Sequence, residues 1–404
     1  MPIFQTTSYV FEDTADAADL FALQKFGNIY SRISNPTVSV FEERMANLEG
    51  GIGAVATASG QSAEFMVCSA LCEAGDHIVS SAHLYGGTRT LFEVQLARFG
   101  IETTFVSEDS IDAYAAAVRP TTRLIHAEVV ANPSGAVADL EPLTELARDA
   151  GIPLVVDSTV ATPYLCRPIE WGADIVLHSA TKFLGGHGNS LGGVIVEAGR
   201  FDWGNGKFPR MTEPVDSYGG LTWWGNFGEY GFAMRLRAEQ LRDFGPAISP
   251  FNAFLILQGI ETLPQRMDDH VANARVVAEA LQAHPAVAWV NWSGLPDHPH
   301  HARAERYLPR GPGSVFAFGV AGGRQAGRAF IESLELCSHL ANIGDTRTLV
   351  IHPASTTHRQ LSDDALQSAG VPPDLIRISV GIEDPDDIVF DLDQALLRAA
   401  KEVS

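Results

Sequence analysis

Three apolar runs in this 404-residue chain end abruptly in polar residues, and those ends are where chemistry can sit. Pro153–Val156 runs into Asp157-Ser158-Thr159, Asp174–Leu177 runs into His178-Ser179-Ala180-Thr181-Lys182, and Leu124–Val129 is followed by Ala131-Asn132-Pro133. If these runs are parallel strands, their carboxyl ends open onto one ligand-binding edge. A carboxylate and an ammonium buried at neighbouring strand ends need partners, because an isolated charge in a core is costly. One reading joins Asp157 and Lys182 in a structural ion pair. The other gives each a ligand: a lysine amine condenses with an aldehyde, and a carboxylate keeps a pyridine nitrogen protonated, which makes the ring an electron sink.

A third group completes the second reading. Ser59-Gly60-Gln61 precedes a nearly all-apolar helical stretch. Backbone N–H groups and the positive end of the helix dipole at such a start suit a dianion, and Ser179 and Thr181 add hydroxyl donors. Aldehyde, ring nitrogen and phosphate are the three handles of pyridoxal phosphate.

Two other patterns lead elsewhere. Gly188-Asn189-Ser190-Leu191-Gly192 matches G-x-S-x-G beside His187. A nucleophile elbow needs a strand before the serine and a helix after it; here a Gly-rich loop precedes and the β-like run Gly193–Val196 follows. No G-x-G-x-x-G after the first strand and no G-x-x-x-x-G-K-[ST] suggests a nucleotide fold.

Composition sets the class. The chain is 46% hydrophobic, and 28 Lys and Arg against 49 Asp and Glu give a net charge of −21. That is a globular composition without the basic face that nucleic acid requires. No apolar run reaches the roughly 18 residues that span a bilayer. Cys68, Cys72, Cys166 and Cys337 form no disulfide framework; Cys68 and Cys72, four apart in an apolar helical run, read as core thiols rather than metal ligands. The start, Met1-Pro2-Ile3-Phe4-Gln5-Thr6-Thr7, lacks a basic and apolar leader pattern, so a reducing cytoplasm is expected.

Residues 38–49 place Phe41, Met45 and Leu48 at helical spacing, with Gly50-Gly51 as a stop. Beyond Cys72, strand-like runs (His77–Ser81, Leu124–Val129, Pro153–Val156, Asp174–Leu177) alternate with helical candidates at 86–99, 110–118 and 139–150. That alternation predicts parallel βαβ units. Residues 199–230, rich in Gly, Trp and Pro, read as an ordered insertion or long loop, and a long helical pattern spans Asn252–Leu281. The last 120 or so residues mix strands (Ser314–Val320, Leu375–Ile378) with amphipathic helices, as a smaller α+β domain would. His298, His300 and His301 fall in a Pro-rich stretch expected to be a solvated loop.

Ser179-Ala180-Thr181-Lys182-Phe183-Leu184-Gly185-Gly186-His187-Gly188 resembles the lysine segment of the Cys/Met-metabolism family of pyridoxal-phosphate enzymes. The likeness extends to Tyr30-Ser31-Arg32, Asn35-Pro36-Thr37, Ser59-Gly60-Gln61, Val156-Asp157-Ser158-Thr159 and Arg377-Ile378-Ser379-Val380-Gly381-Ile382-Glu383. Phe26-Gly27-Asn28-Ile29-Tyr30, Gly206-Lys207-Phe208-Pro209, Thr212-Glu213-Pro214, Asn342-Ile343-Gly344-Asp345 and His352-Pro353-Ala354-Ser355-Thr356-Thr357-His358 resemble the O-acetylhomoserine sulfhydrylases within it. The resemblance implies an α/β fold of type I, with a seven-stranded, mainly parallel sheet in a large domain and a smaller C-terminal α+β domain. It implies an N-terminal arm (1–34), a large cofactor domain (35–262) and a small domain (263–404), with active sites shared across a dimer inside a homotetramer.

By the same resemblance, Lys182 is the Schiff-base lysine and Asp157 the ring-nitrogen partner. Ser59, Gly60, Gln61, Ser179 and Thr181 hold the phosphate, Tyr30 and Arg32 reach the phosphate of a neighbouring subunit, and Tyr85 stacks on the ring. Arg377 clamps the substrate carboxylate, helped by Asn132 and Asn342. No metal is implied. The activity implied is a carbon–sulfur bond-forming γ-replacement on O-acetyl-L-homoserine, with a methionine γ-lyase or cystathionine γ-synthase type of enzyme as the alternative. Two departures stand out: relatives usually carry more residues before Pro2-Ile3, and a histidine more often follows the tyrosine of Ser217-Tyr218-Gly219-Gly220.

Overall fold

Asn35 opens the first long helix, its side chain accepting from the Thr37 N–H at 2.9 Å, with Pro36 in the first position. In the computed structural model, which describes residues 1–357, 359 and 371–403, that helix spans Pro36–Glu49 and stops at Gly50, whose φ of 77° suits a residue without a side chain. Phe41 and Met45 are fully buried beneath it and Leu48 is half-buried. His358 lies outside the described residues.

Seven strands follow: β1 (Gly53–Thr57), β2 (His77–Ser81), β3 (Glu102–Val106), β4 (Thr122–Glu128), β5 (Leu154–Asp157), β6 (Ile175–His178) and β7 (Gly193–Glu197). They form one sheet in the order β1-β7-β6-β5-β4-β2-β3, parallel from β3 through β6, with β7 antiparallel to both β6 and β1. Every residue of β2, β6 and β7 is buried, which is why those strands read as continuous apolar runs rather than alternating ones. Helices at Gly60–Leu71, Ile111–Ala117 and Leu140–Asp149 supply the connections. The expected helix at 86–99 begins at Gly86–Thr90 and continues as a wider π-helical segment, Leu91–Leu96, which buries Phe92 and Leu96.

A second sheet contains β8 (Val287–Asn291), β9 (Val315–Val320), β10 (Ser338–His339), β11 (Leu349–Ile351) and β12 (Leu375–Ser379), in the order β10-β11-β12-β9-β8. Only the β10–β11 pair is parallel. Phe316, Phe318, Ile376 and Ile378 pack there against Phe330 and the helix Pro385–Val403. The helical pattern of 252–281 is two helices, Pro250–Glu261 and Leu263–Ala283, broken at Thr262 with Pro264 in the first turn of the second. The second helix joins both cores: Leu263, Met267 and Val271 pack on the first, Ala274, Val277 and Leu281 on the second.

The histidine stretch differs from the expected solvated loop. His298 bonds Asn291 Oδ1 at 2.6 Å, His300 Nδ1 lies 3.2 Å from Val137 O, and His301 Nδ1 lies 3.1 Å from Ser293 O. All three residues are half-buried; His300 fastens the segment to the chain after β4, while His298 and His301 bond a side chain and a backbone oxygen at and just after the end of β8. All four cysteines are buried.

Residues 199–230 hold only short helical turns, among them Pro209–Thr212 and Trp223–Phe227, packed around buried tryptophans. Trp203 and Trp223 are fully buried, and Trp203 stacks on Phe232 with centroids 4.8 Å apart. Trp203 Nε1 donates to Glu197 Oε1 at 3.3 Å and the Ala233 N–H to Oε2 at 2.8 Å. Burial outweighs these bonds and pushes the Glu197 carboxyl up to about 8. The folded chain therefore keeps a proton that an unfolded one, at a carboxylate value of about 4.3, releases. This contribution is unpenalised below pH ~4 and is lost progressively as pH rises toward 8. Glu197→Gln mimics the protonated side chain. Relative to it, the unmodified protein should lose on the order of a few kcal/mol of stability between pH 5 and pH 8, read from denaturant unfolding at each pH; parallel pH profiles would disprove the assignment.

Candidate active site

The three polar strand ends converge on one cleft at the carboxyl edge of the first sheet. Its floor holds Asp157 from the end of β5, Thr159 just after it, and Ser179, Thr181 and Lys182 from the turn after β6. Ser59, Gly60 and Gln61 approach from the start of the helix Gly60–Leu71. Tyr85 and Asn132 form a wall, and Asn342 and Arg377, the latter on β12, close it from the second sheet.

Asp157 and Lys182 do not form the structural ion pair that sequence left open. Asp157 Oδ1 accepts from the Thr159 N–H at 2.7 Å. Lys182 Nζ donates to Asn342 Oδ1 at 2.5 Å. Burial, and then the Arg377 charge, lower Lys182 to about 8. Burial, followed by the Glu64 charge, raises Asp157 against the opposing Thr159 hydrogen bonds. Arg377 donates through Nη2 to Asn342 O at 3.0 Å, and its buried Nε has no partner. Burial pushes it down to about 10. No carboxylate among the described residues pairs with Lys182 or Arg377, so the cleft holds two cations prepared for an anionic ligand.

The helix start meets the lysine turn closely. A Cβ on Gly60 would stand 2.7 Å from Ser179 Cβ and 3.1 Å from its Oγ, so the backbone N–H groups and the Ser179 hydroxyl face the same space only because residue 60 is glycine. Ser59 caps the helix, accepting from the Ser62 N–H at 3.1 Å. Thr181 lines the cleft with its hydroxyl already engaged, donating to Gly192 O at 3.2 Å and accepting from the Gly192 N–H at 3.1 Å. Gln61 Oε1 accepts from Thr88 Oγ1 at 3.3 Å.

Tyr30 and Arg32 are not part of this cleft. They lie in the N-terminal segment, with the Arg32 guanidinium 5.3 Å from the Tyr30 ring and donating to Arg242 O. The Gly188–Gly192 segment is irregular and leads into β7 instead of a helix, so Ser190 has no elbow geometry.

Sequence reasoning missed two carboxylates. Glu128 ends β4 in register with Asp157; its Oε1 accepts from the Tyr85 N–H at 2.6 Å and its Oε2 from the Asn132 N–H at 3.3 Å. Burial and Asp157 push its carboxyl well above the ordinary range. Glu64 is the only charged residue of its helix and also lines the cleft. An acid at the end of an apolar strand and a lone acid in an apolar helix were both visible signals.

Residues 1–397 match the family described as Cys/Met metabolism PLP-dependent enzymes. The O-acetyl-L-homoserine sulfhydrylase of Leptospira meyeri is 50% identical over 405 residues, covering 98% of this chain and 92% of that protein. The homocysteine synthase of Schizosaccharomyces pombe is 50% identical over 399 residues, with coverages of 98% and 93%. Among solved structures, a putative O-acetylhomoserine (thiol)-lyase of Campylobacter jejuni, which carries N'-pyridoxyl-lysine-5'-monophosphate, superposes with a TM-score of 0.95 at 38% identity, covering 98% of this chain and 95% of that one.

The residues present fit pyridoxal phosphate: a half-buried lysine with no carboxylate partner, a carboxylate with no cation partner at the end of the adjacent strand, and a cradle at Gly60 that a side chain would fill. By its sequence over residues 1–397, its seven-stranded sheet and this cleft, the chain belongs to the Cys/Met metabolism family of PLP-dependent enzymes.

Proposed function

We propose that the chain catalyses γ-replacement on O-acetyl-L-homoserine, with sulfide or methanethiol as the incoming sulfur, giving L-homocysteine or methionine and acetate. The observation that carries this reading is the full-length identity of about half to relatives named O-acetyl-L-homoserine sulfhydrylase, in a chain whose cleft sets Lys182 and Arg377 free for an amino acid.

When bound, pyridoxal phosphate supplies an aldehyde carbon for an amine and a protonated ring that absorbs electron density. The chain's residues do the rest. Lys182, lowered to about 8 by burial and Arg377, holds an appreciable neutral fraction near neutral pH, so its Nζ would hold the cofactor's aldehyde carbon and would take or return the substrate Cα proton. Asn342 Oδ1 orients that amine. Asp157 would accept from the ring N–H, Gly60, Gln61 and Ser179 would receive the phosphate, and Tyr85 would cover the ring, all of them lining the cleft. Thr181 joins the phosphate cup only by giving up its bond to Gly192 O. Arg377 holds the substrate carboxylate through its unpartnered Nε, and Asn132, which lines the same cleft, offers its side-chain amide N–H to it. Acetate leaves Cγ and sulfur takes its place.

Tyr30 and Arg32 serve the cleft of a neighbouring copy in a homotetramer with shared sites, a reading supported by their distance from this chain's own cleft and by the exposed Phe4, Val10, Phe21 and Phe26 of the same segment. The same division gives an arm (1–34), a cofactor domain (35–262) and a small domain (263–404) whose first helix packs on both cores. The biosynthetic reaction suits a cytoplasmic protein.

Borohydride should fix the cofactor to Lys182 and to no other lysine in a peptide map. Lys182→Ala should lower kcat by about 10²–10⁴-fold or more while pyridoxal phosphate still binds non-covalently. Mixing Arg32→Ala with Lys182→Ala subunits should restore part of the activity, since one class of mixed site keeps both residues; none after verified exchange would remove the shared-site proposal. Replacement should also dominate over elimination. Asn342 stands where γ-lyases usually place serine, and Gly87 where methionine γ-lyases carry cysteine; a Cβ at Gly87 would come 3.1 Å from Tyr85 Cδ1 and Cζ. Release of methanethiol from methionine should therefore be at least ~10-fold slower in kcat/KM than thiol-dependent turnover of O-acetylhomoserine. Comparable rates would favour a lyase.

A further inference from the structure

Glu64 is 2% exposed and one turn into a helix of small and apolar residues. Its Oε1 accepts from His126 Nε2 at 3.1 Å, while Oε2 has no partner and the side chain lines the cleft. His126, on β4, is completely buried: the Phe92 ring meets it edge-on at 5.0 Å and Ser80 Oγ lies 3.5 Å from Nδ1. His126 pairs in register with Val155 and Glu128 with Asp157, so the imidazole lies one layer beneath the two carboxylates. Of the acids nearby, Glu64 bonds His126 and Asp157 acts on it through its charge. From the neighbouring strand β6, His178, bonded to Glu49 at 2.6 Å, also acts on Asp157.

We propose, on the reading that pyridoxal phosphate binds here, that Glu64 and His126 are positioning residues for the cofactor's ring nitrogen: His126 neutralises Glu64 across their hydrogen bond, so that Asp157 is the anion that meets the ring N–H. Burial alone would discharge the histidine, but the Glu64 charge and its hydrogen bond, and then Asp157, overcome that and hold His126 above its usual value. The Glu64 charge raises Asp157 toward its protonated form. Without the imidazolium, Glu64 would be a bare buried anion and Asp157 would retain a proton, and a neutral carboxyl cannot keep the ring nitrogen protonated. Glu128, raised furthest and accepting from two backbone amides, takes no part in that contact. Removing both members of the Glu64–His126 pair removes two opposite charges together and leaves the field at Asp157 nearly as it was.

The test is a double-mutant cycle in the holoprotein with His126→Gln, Glu64→Gln and the pair combined. Three readouts apply: the pH titration of the bound cofactor's absorbance, the Kd for pyridoxal phosphate on reconstitution, and kcat and KM separately. His126→Gln should displace the absorbance midpoint by about one pH unit and lower kcat about tenfold or more, with KM changed less than about threefold. Glu64→Gln and the double variant should both stay within about threefold of the parent. A double variant as impaired as His126→Gln, or an unmoved midpoint in His126→Gln, overturns the proposal. Should His126→Gln not accumulate, Glu64→Asp, which keeps the charge but retracts it from the hydrogen bond, should displace the midpoint in the same direction; no displacement overturns the proposal equally. The absorbance and affinity readouts do not depend on which ester is the substrate, so a wrong substrate leaves them standing, whereas a protein that binds no pyridoxal phosphate defeats both readings.

Discussion

Lys182 and Asp157 leave adjacent strands, both half-buried at the cleft, and neither neutralises the other. Pairing them would be the cheaper arrangement for a fold, since an unpaired buried charge carries a large desolvation cost. The turn after β6 prevents it. The Lys182 N–H donates to Ser179 O, the amine points to Asn342, and Asp157 is held back by the Thr159 amide. That cost is offset by a sheet in which β2, β6 and β7 bury every side chain, at roughly 25 cal/mol for each Å² of apolar surface removed from water. The site is thus chemically unsatisfied within a structure whose stability comes from elsewhere, as an enzyme that must bind a charged ligand requires.

Much of this arrangement was legible because the same burial that stabilises the strands makes them conspicuous. β2, β4, β5 and β6 are buried runs with polar ends, so both the strands and the chemistry at their tips stood out. The edge strands did not: β1 is built from Gly, Ala, Val and Thr, and β3 (Glu102–Val106) has only its last residue buried, so neither presents an apolar run. The second sheet was half visible, since β10 and β11 are only two and three residues long. Glu64 and Glu128 escaped for a different reason. Each stands out as a lone acid in an apolar run, but its place in the cleft depends on tertiary pairing: the register that places Glu128 opposite Asp157 is set between segments nearly thirty residues apart.

Two glycines carry the close approaches on which the cleft depends. Gly60 lets a helix start rest against Ser179. Gly344, with φ of 71°, lets the Asn342 segment rest against the lysine turn, because a Cβ there would stand 2.6 Å from the Phe183 amide nitrogen. The Gly344 N–H in turn donates to Ser379 Oγ at 3.0 Å, two residues beyond Arg377 on β12. The lysine turn, the Asn342 loop and the arginine strand are therefore one connected unit, although they come from different sheets.

Asn342 is the point where that unit acts on the chemistry. Its side-chain oxygen accepts from Lys182 and its backbone oxygen from Arg377. The two cations share one neutral residue and no anion among the described residues, and Arg377 weakens the lysine's hold on its charge: it is the second cause, after burial, of the lowered lysine. A carboxylate arriving at Arg377 cancels part of that field. It also competes with Asn342 for the guanidinium, so the residue that orients the amine is the one that senses the substrate. Serine at this position would have a single hydroxyl, whereas the amide retains two donors of its own while accepting from the lysine. If Arg377 receives the substrate carboxylate as proposed, substrate binding and lysine orientation are coupled through a residue that undergoes no chemistry itself.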